Sequence, residues 1–202
     1  MRITAIKQQV KQKDRYSVFV DEKYAFSLSE SALLESRLAS GDELSAKQVS
    51  DFKKLSEDDK LYNQTLRYIA LRPRSRWEID FYLGKKKKAS PGLTETILNK
   101  LTNIGLIDDE KFAKAFVNDR RLLKPTSRRK LVNELRKKHI ANEIIEQAIG
   151  SEEEDEQAAL HEVIARKRRQ SKYQDNEKLM QYLARQGFSY GDIKEALQQG
   201  EN

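Results

Sequence analysis

The chain has 202 residues and carries 39 Lys and Arg against 32 Asp and Glu, a formal charge of +7. It contains no cysteine, which excludes disulfides, thiolate metal sites and a cysteine nucleophile together. No apolar run approaches the ~20 residues needed to span a bilayer, and the opening MRITAIKQQVKQKDRY lacks the apolar stretch of a secretory signal, so a soluble cytoplasmic protein without membrane attachment is expected.

Residues 1 to 28 read as strands. Ile3 and Ala5, then Tyr16, Val18 and Val20, then Tyr24, Phe26 and Leu28, follow a period of two around the turn Asp21-Glu22-Lys23. This pattern predicts a hairpin or three-stranded meander. From Ser29 the spacing becomes helical through Leu33, Leu34 and Leu38, with Gly41 as the stop. Ser45 and Gln48 form a capping-box pair that opens a short helix through Val49 and Phe52. A small strand-containing module is therefore expected over residues 1–55.

The remainder is helical and repeats. Ser75, Ile79 and Leu83 align with Ser127, Leu131 and Leu135 at an offset of 52, and these align with Asp175, Leu179 and Leu183 at 48. Each set starts with a good N-cap residue and places apolar groups four and eight positions on. The offset of 48 also maps Phe112 and Phe116 to Leu160 and Ile164, Ile140 to Phe188, Ile145 to Ile193, Ala148 to Ala196 and Ile149 to Leu197. Helices are expected near 59–71, 76–86 and 91–104, then 109–123, 128–138 and 142–149, then 153–170, 176–186 and 190–199. The first copy holds about four extra residues around Lys85 to Gly92. Ser90-Pro91, Gly105 and Gly187 sit where helix starts and stops are wanted, and the acidic run Glu152 to Glu156 suits a helix start. The fold class is mainly α: three tandem helix-turn-helix-like repeats, at 56–108, 109–151 and 152–202, forming an elongated, curved array behind the N-terminal module.

Arg72-Pro73-Arg74-Ser75 followed by Glu78 resembles the R-P-x-S-x-x-E-[IL] signature of the RecX family. Gly105-Leu106-Ile107-Asp108-Asp109 followed by Phe112-Ala113 is similar to that family's G-[LY]-[IL]-[ND]-D-x-x-[FY]-A motif. The three repeats and the strand-rich extension resemble its longer members, so the likeness covers nearly the whole chain. The resemblance implies a modulator of the RecA recombinase. Such a protein binds in the groove of the RecA–single-stranded DNA filament and limits strand exchange and ATP hydrolysis, in DNA repair and the SOS response. It also implies a regulator rather than an enzyme.

Charge points independently to a polyanion. Residues 61–150 hold 20 basic and 10 acidic side chains, residues 1–60 are balanced, and residues 151–202 are net acidic. The candidate contact residues are Arg72, Arg74 and Arg76; Lys85, Lys86, Lys87 and Lys88; Arg120, Arg121, Lys124, Arg128 and Arg129; and Arg136, Lys137 and Lys138. Arginines offer a planar fork to phosphate or carboxylate, lysines a point charge. The last trio equally suits a helix C-terminus, and Arg166 to Arg169 reads as surface matched to the helix dipole. Trp77 and Phe81 form a second apolar stripe beside Ile79 and Leu83, where the other repeats have Arg129 and Asn133, or Glu177 and Gln181. Two roles stay open for this stripe: packing against the N-terminal module, or anchoring the filament.

No cofactor or metal is expected. The chain has no G-x-x-x-x-G-K-[ST] loop, and His139 and His161 lack ligand spacing and read as polar surface residues. Asp108, Asp109 and Glu110 read as a helix start rather than a nuclease centre. The expected partners are the RecA filament and single- or double-stranded DNA, bound by a monomer. Two other classes remain open: a stand-alone helix-turn-helix DNA binder, and a scaffold indifferent to nucleic acid.

Overall fold

The computed structural model describes residues 1–150 and 153–199. Those residues form three strands and ten α-helices. Two compact units result, one of residues 1–73 with 79–100, the other of residues 74–78 with 101–202.

The first unit begins with the expected meander: β1 (Ile3–Gln8), β2 (Arg15–Val20) and β3 (Lys23–Ser29), antiparallel in that order. Asp21 and Glu22 both take positive φ, 47° and 66°, the left-handed pair that a tight two-residue hairpin requires. The Asp21 carboxylate then accepts the Arg2 N–H at 2.8 Å, which fixes the turn on β1. Ile3, Val18, Val20, Phe26 and Leu28 point into one core with Leu44 and Val49, and Phe52 stacks on Phe26.

Helix α1 (Glu30–Ser36) ends earlier than the leucine spacing predicts. Arg37 takes the left-handed cap at φ 51°, and Gly41 instead turns the chain back so that its N–H meets the Ile3 carbonyl. The Ser45–Gln48 capping box forms, but the helix it opens is not short. Helix α2 (Ala46–Ala70) runs 25 residues without a break, so the module boundary expected at 55 lies inside it. No Gly or Pro lies between Ala46 and Ala70 to interrupt the helix. Its first two turns pack Val49 and Phe52 on the sheet; its middle presents Ser56, Asp59 and Asn63 to a polar network described below.

Helix α3 (Arg76–Phe81) continues as a π-turn over Tyr82–Lys86, where the Lys87 N–H reaches back to the Tyr82 carbonyl at 3.0 Å. The widened turn takes up residues that the other repeats lack. Tyr82 stacks on Tyr68 of α2 at 4.0 Å, and Ile79, Leu83, Ile97 and Leu98 are buried. Helix α4 (Pro91–Asn103) starts on the Ser90 cap and the N1 proline.

The second unit contains α5 (Asp109–Leu123), α6 (Arg128–Arg136) and α7 (Asn142–Ile149), then α8 (Glu153–Arg168), α9 (Asn176–Gln186) and α10 (Tyr190–Gln199). The expected internal alignment holds through both cores. Phe112, Leu131, Leu135, Ile140, Ile145 and Ile149 are buried in one; Leu160, Leu179, Leu183, Phe188, Ile193 and Leu197 fill the matching places in the other. Of the acidic run, Glu152 lies outside the described residues, and α8 starts at Glu153.

Candidate nucleic-acid interface

The stretch from Arg72 to Glu78 combines two local devices. Ser75 and Glu78 form a capping box: the Ser75 hydroxyl accepts the Glu78 N–H at 3.3 Å, and the Glu78 carboxylate accepts the Ser75 N–H at 3.2 Å. The same hydroxyl donates to the Lys138 carbonyl at 3.0 Å, beyond the end of α6. One residue on, the Arg76 N–H donates to the Asp109 carboxylate at 2.8 Å, at the start of α5. Lys138 closes the set with an ion pair to Glu78 at 3.1 Å.

This joint recurs in the following repeat. Ser127 caps α6 and donates its hydroxyl to the Gln186 carbonyl at 2.7 Å; the Arg128 N–H donates to the Glu156 carboxylate at 2.6 Å. Ser127 and Gln186 stand 52 and 48 positions after Ser75 and Lys138. The signal was present in the sequence, where Lys124-Pro125-Thr126-Ser127 echoes Arg72-Pro73-Arg74-Ser75. Burial pushes the Asp109 and Glu156 carboxyls above their usual range, although each accepts a backbone N–H that works the other way. Asp108 behaves oppositely: it caps α5 by accepting the Lys111 N–H, and that bond holds its carboxyl below the usual range.

Trp77 is half-buried, and its ring stacks on His139 with centroids 4.3 Å apart and planes 17° apart. Its stacking partner stands in the turn after α6, where His139 has a left-handed φ of 57°. His139 is exposed, in line with its reading as a polar surface residue. Phe81 is 42% exposed.

The fifteen candidate cations separate by what they touch. Arg76 reaches Thr102 at 3.2 Å. Arg120 pairs with Glu134 at 2.8 Å and lies over the Phe116 ring. Arg121 donates to the Ile149 carbonyl at 2.7 Å and so closes the end of α7. Arg128 bonds the Glu146 carboxylate and the Gly150 carbonyl. Lys138 holds Glu78, with the Phe112 and Phe116 rings beneath it. These five brace the protein itself. Arg72 is exposed and bonds the Pro73 carbonyl, and Arg74 is half-buried. Lys85, Lys86, Lys87 and Lys88 are exposed around the π-turn, with Lys87 over the Tyr82 ring. Lys124 is also exposed.

Arg129, Arg136 and Lys137 share one exposed face of α6 and its C-cap, together with Asn133. At 100° per residue these four fall within about 100° of arc. The Arg136 guanidinium reaches Asn142 at 3.1 Å, and among the described residues none of the three cations of this face pairs with a carboxylate. Such a face attracts phosphate or an acidic protein surface. The matching positions on α9 are Glu177, Gln181, Ala184 and Arg185, so the face belongs to the middle repeat.

No group of three His, Asp or Glu side chains able to hold a metal ion occurs among the described residues, and none of their helices is long and apolar enough to cross a membrane.

The comparisons with known proteins agree over most of the chain. Residues 1–45 match the family model for the regulatory protein RecX N-terminal domain. Residues 108–149 and 153–197 match those for the RecX second and third three-helix domains. Regulatory protein RecX of Bacillus licheniformis is 32% identical over 202 residues, covering 98% of this chain and 76% of that protein. Its counterpart in Lactobacillus johnsonii is 33% identical over 154 residues, covering 76% of this chain and 56% of that protein, so the match spans little more than half of that relative. A crystal structure of regulatory protein RecX superposes with a TM-score of 0.73 at 29% identity, covering 96% of this chain and 97% of that one. RecX from Lactobacillus salivarius shares the fold, with a TM-score of 0.59 at 24% identity over 70% of this chain and 95% of that one.

Proposed function

Because the chain belongs to the RecX family of regulatory proteins, we propose that it binds the filament formed by RecA on single-stranded DNA. There it limits ATP hydrolysis and strand exchange, as a non-enzymatic cytoplasmic regulator in DNA repair and the SOS response. It acts as a monomer, organised as an N-terminal module and three repeats. The observation that carries the reading is the exposed cationic face of α6 (Arg129, Arg136 and Lys137) on a member of this family. Cations that brace the fold cannot also meet a partner without breaking the joints; this face can. The exposed lysines at Lys85 to Lys88 support the same reading from the first repeat.

The test is ATP hydrolysis by the cognate RecA on single-stranded DNA, with this protein added well below stoichiometry. The wild type should suppress hydrolysis at low ratios. An Arg129→Ala, Arg136→Ala, Lys137→Ala triple variant should need roughly tenfold more protein while melting at the wild-type temperature. Suppression only once the protein coats the DNA would favour a stand-alone DNA binder. No suppression at any ratio would leave the scaffold reading.

A further inference from the structure

Two exposed leucines recur at one register. Leu71 and Leu123 stand 52 positions apart, the offset that also separates Ser75 from Ser127. Each is 79% exposed. Each is followed by a cation and a proline, as Leu71-Arg72-Pro73 and Leu123-Lys124-Pro125. Each lies where a first helix ends, α2 at Ala70 and α5 at Leu123.

The fold does not call for leucine at either corner. The prolines and the serine caps set these turns, and the N–H groups of Leu71 and Lys124 bond the Ile69 and Arg120 carbonyls, which any non-proline residue could do. A leucine at a helix end is usually retained by folding back over the last turn; at 79% exposure neither of these does so. Singly exposed apolar residues are ordinary. Leu34, at 72% exposure, and Val10, at 94%, are of that kind, as is Leu122, at 80%, which stands where the first repeat has Ala70. Recurrence separates Leu71 and Leu123 from them. In the third repeat the position is Ser171, so the feature is confined to the two repeats that carry the excess positive charge.

Leucine has nothing to offer a phosphate. Beside a cation, it matches a protein surface on which carboxylates rim an apolar depression. A chain that presents the same corner twice suits a partner that presents the same depression more than once, as an assembly of identical subunits does. We propose that the Leu71-Arg72 and Leu123-Lys124 corners are this chain's protein-directed contacts. Each seats its leucine in an apolar, carboxylate-rimmed pocket on a subunit of the recombinase filament. This inference rests on the filament reading above and assigns the corners to protein, leaving the α6 face for nucleic acid.

The test compares Leu71→Ser, Leu123→Ser and the double variant with Leu34→Ser, an exposed leucine outside the repeats. Melting temperature, suppression of RecA ATP hydrolysis and affinity for a labelled single-stranded oligonucleotide are each measured. All four variants should melt as the wild type does. The double variant should lose at least ~tenfold in suppression and each single variant roughly threefold, with unchanged affinity for the naked oligonucleotide and with Leu34→Ser as wild type. Full potency in the double variant would overturn the proposal. So would a fall in melting temperature, which would make the leucines packing residues, or an equal loss of affinity for naked DNA, which would turn the corners toward nucleic acid. If the wild type itself leaves hydrolysis untouched, the filament reading falls first, and that outcome is read without any variant.

Discussion

Asp59 shows how much one side chain can hold. Its carboxylate pairs with Arg15 at 2.8 Å, accepts the N–H and hydroxyl of Ser29 at 2.9 and 2.5 Å, and accepts the Asn63 amide at 2.9 Å. Arg15 uses its other nitrogen on the carbonyl and hydroxyl of Ser27. The Arg15 and Asp59 side chains are 5% and 7% exposed, so the pair clamps α2 to the sheet out of solvent. Removing one partner strands the other, and Asp59→Ala should cost about 3–5 kcal/mol in urea unfolding. Gly187 is a second such position. Its φ is +98°, and an added Cβ would stand 2.7 Å from the Ser127 hydroxyl oxygen. Gly105 has φ +74° with open space around it. Both Gly→Ala changes strain the backbone by about 1–3 kcal/mol, and Gly187→Ala should lie at the upper end because it also displaces the joint serine. Thermal melts of the two variants compare them directly. Trp77 is the chain's one tryptophan, so its fluorescence reports the stack on His139. His139→Ala should shift that emission to the red and lower stability by about 0.5–1.5 kcal/mol.

At the scale of the element, the repeated joint explains why the serine caps sit where they do. Each serine stops a turn, starts a helix and bonds the carbonyl at the end of the next repeat's second helix. The following N–H then needs an acceptor at the start of that repeat's first helix, which Asp109 and Glu156 supply. Burial raises both carboxyls, so the folded chain holds their protons more tightly than the unfolded chain does. Their contribution to stability is therefore fully present below the unfolded values near pH 4, and it is lost as pH rises through the raised values. Asp109→Asn keeps an oxygen for the Arg76 N–H and removes the titration. Relative to wild type, it should gain stability as pH increases from about 3 to 7. Parallel urea titrations at several pH values check the sign, and a constant difference between the two proteins would refute it.

For the whole molecule, charge is the property with functional reach. The net +7 is concentrated in residues 61–150, and the structure assigns part of it to internal work. What remains on the α6 face should make DNA affinity fall with salt. The triple variant at Arg129, Arg136 and Lys137 should flatten the dependence of log affinity on log salt by roughly one unit for each cation that meets a phosphate. An unchanged slope would place DNA elsewhere on the chain. Arg120→Ala should behave differently, leaving the slope alone while lowering stability, because Arg120 is tied to Glu134 and Phe116.

Periodicity by itself determined the meander, nearly every helix of the second unit and the alignment of its two cores, down to Ile140 against Phe188 and Ile145 against Ile193. Those features are local or periodic: alternation, helical spacing, caps and stop residues act within a few positions, and each repeat writes them again. The continuity of α2 is not legible because Ser45–Gln48 announces only a start, whereas the helix's middle is held, through its own Asp59, by Arg15 and Ser29 of the sheet, 44 and 30 positions away. The candidate site was legible as a set of cations but not as a surface. Arg129 and Arg128 are neighbours of the same type, yet one faces outward and the other is spent on Glu146 and Gly150. Likewise, Trp77 showed itself as a ring in need of a partner, but His139 lies 62 positions away. Composition sets how many charges and rings a chain has; only long-range packing decides which of them the fold consumes and which it leaves for a partner.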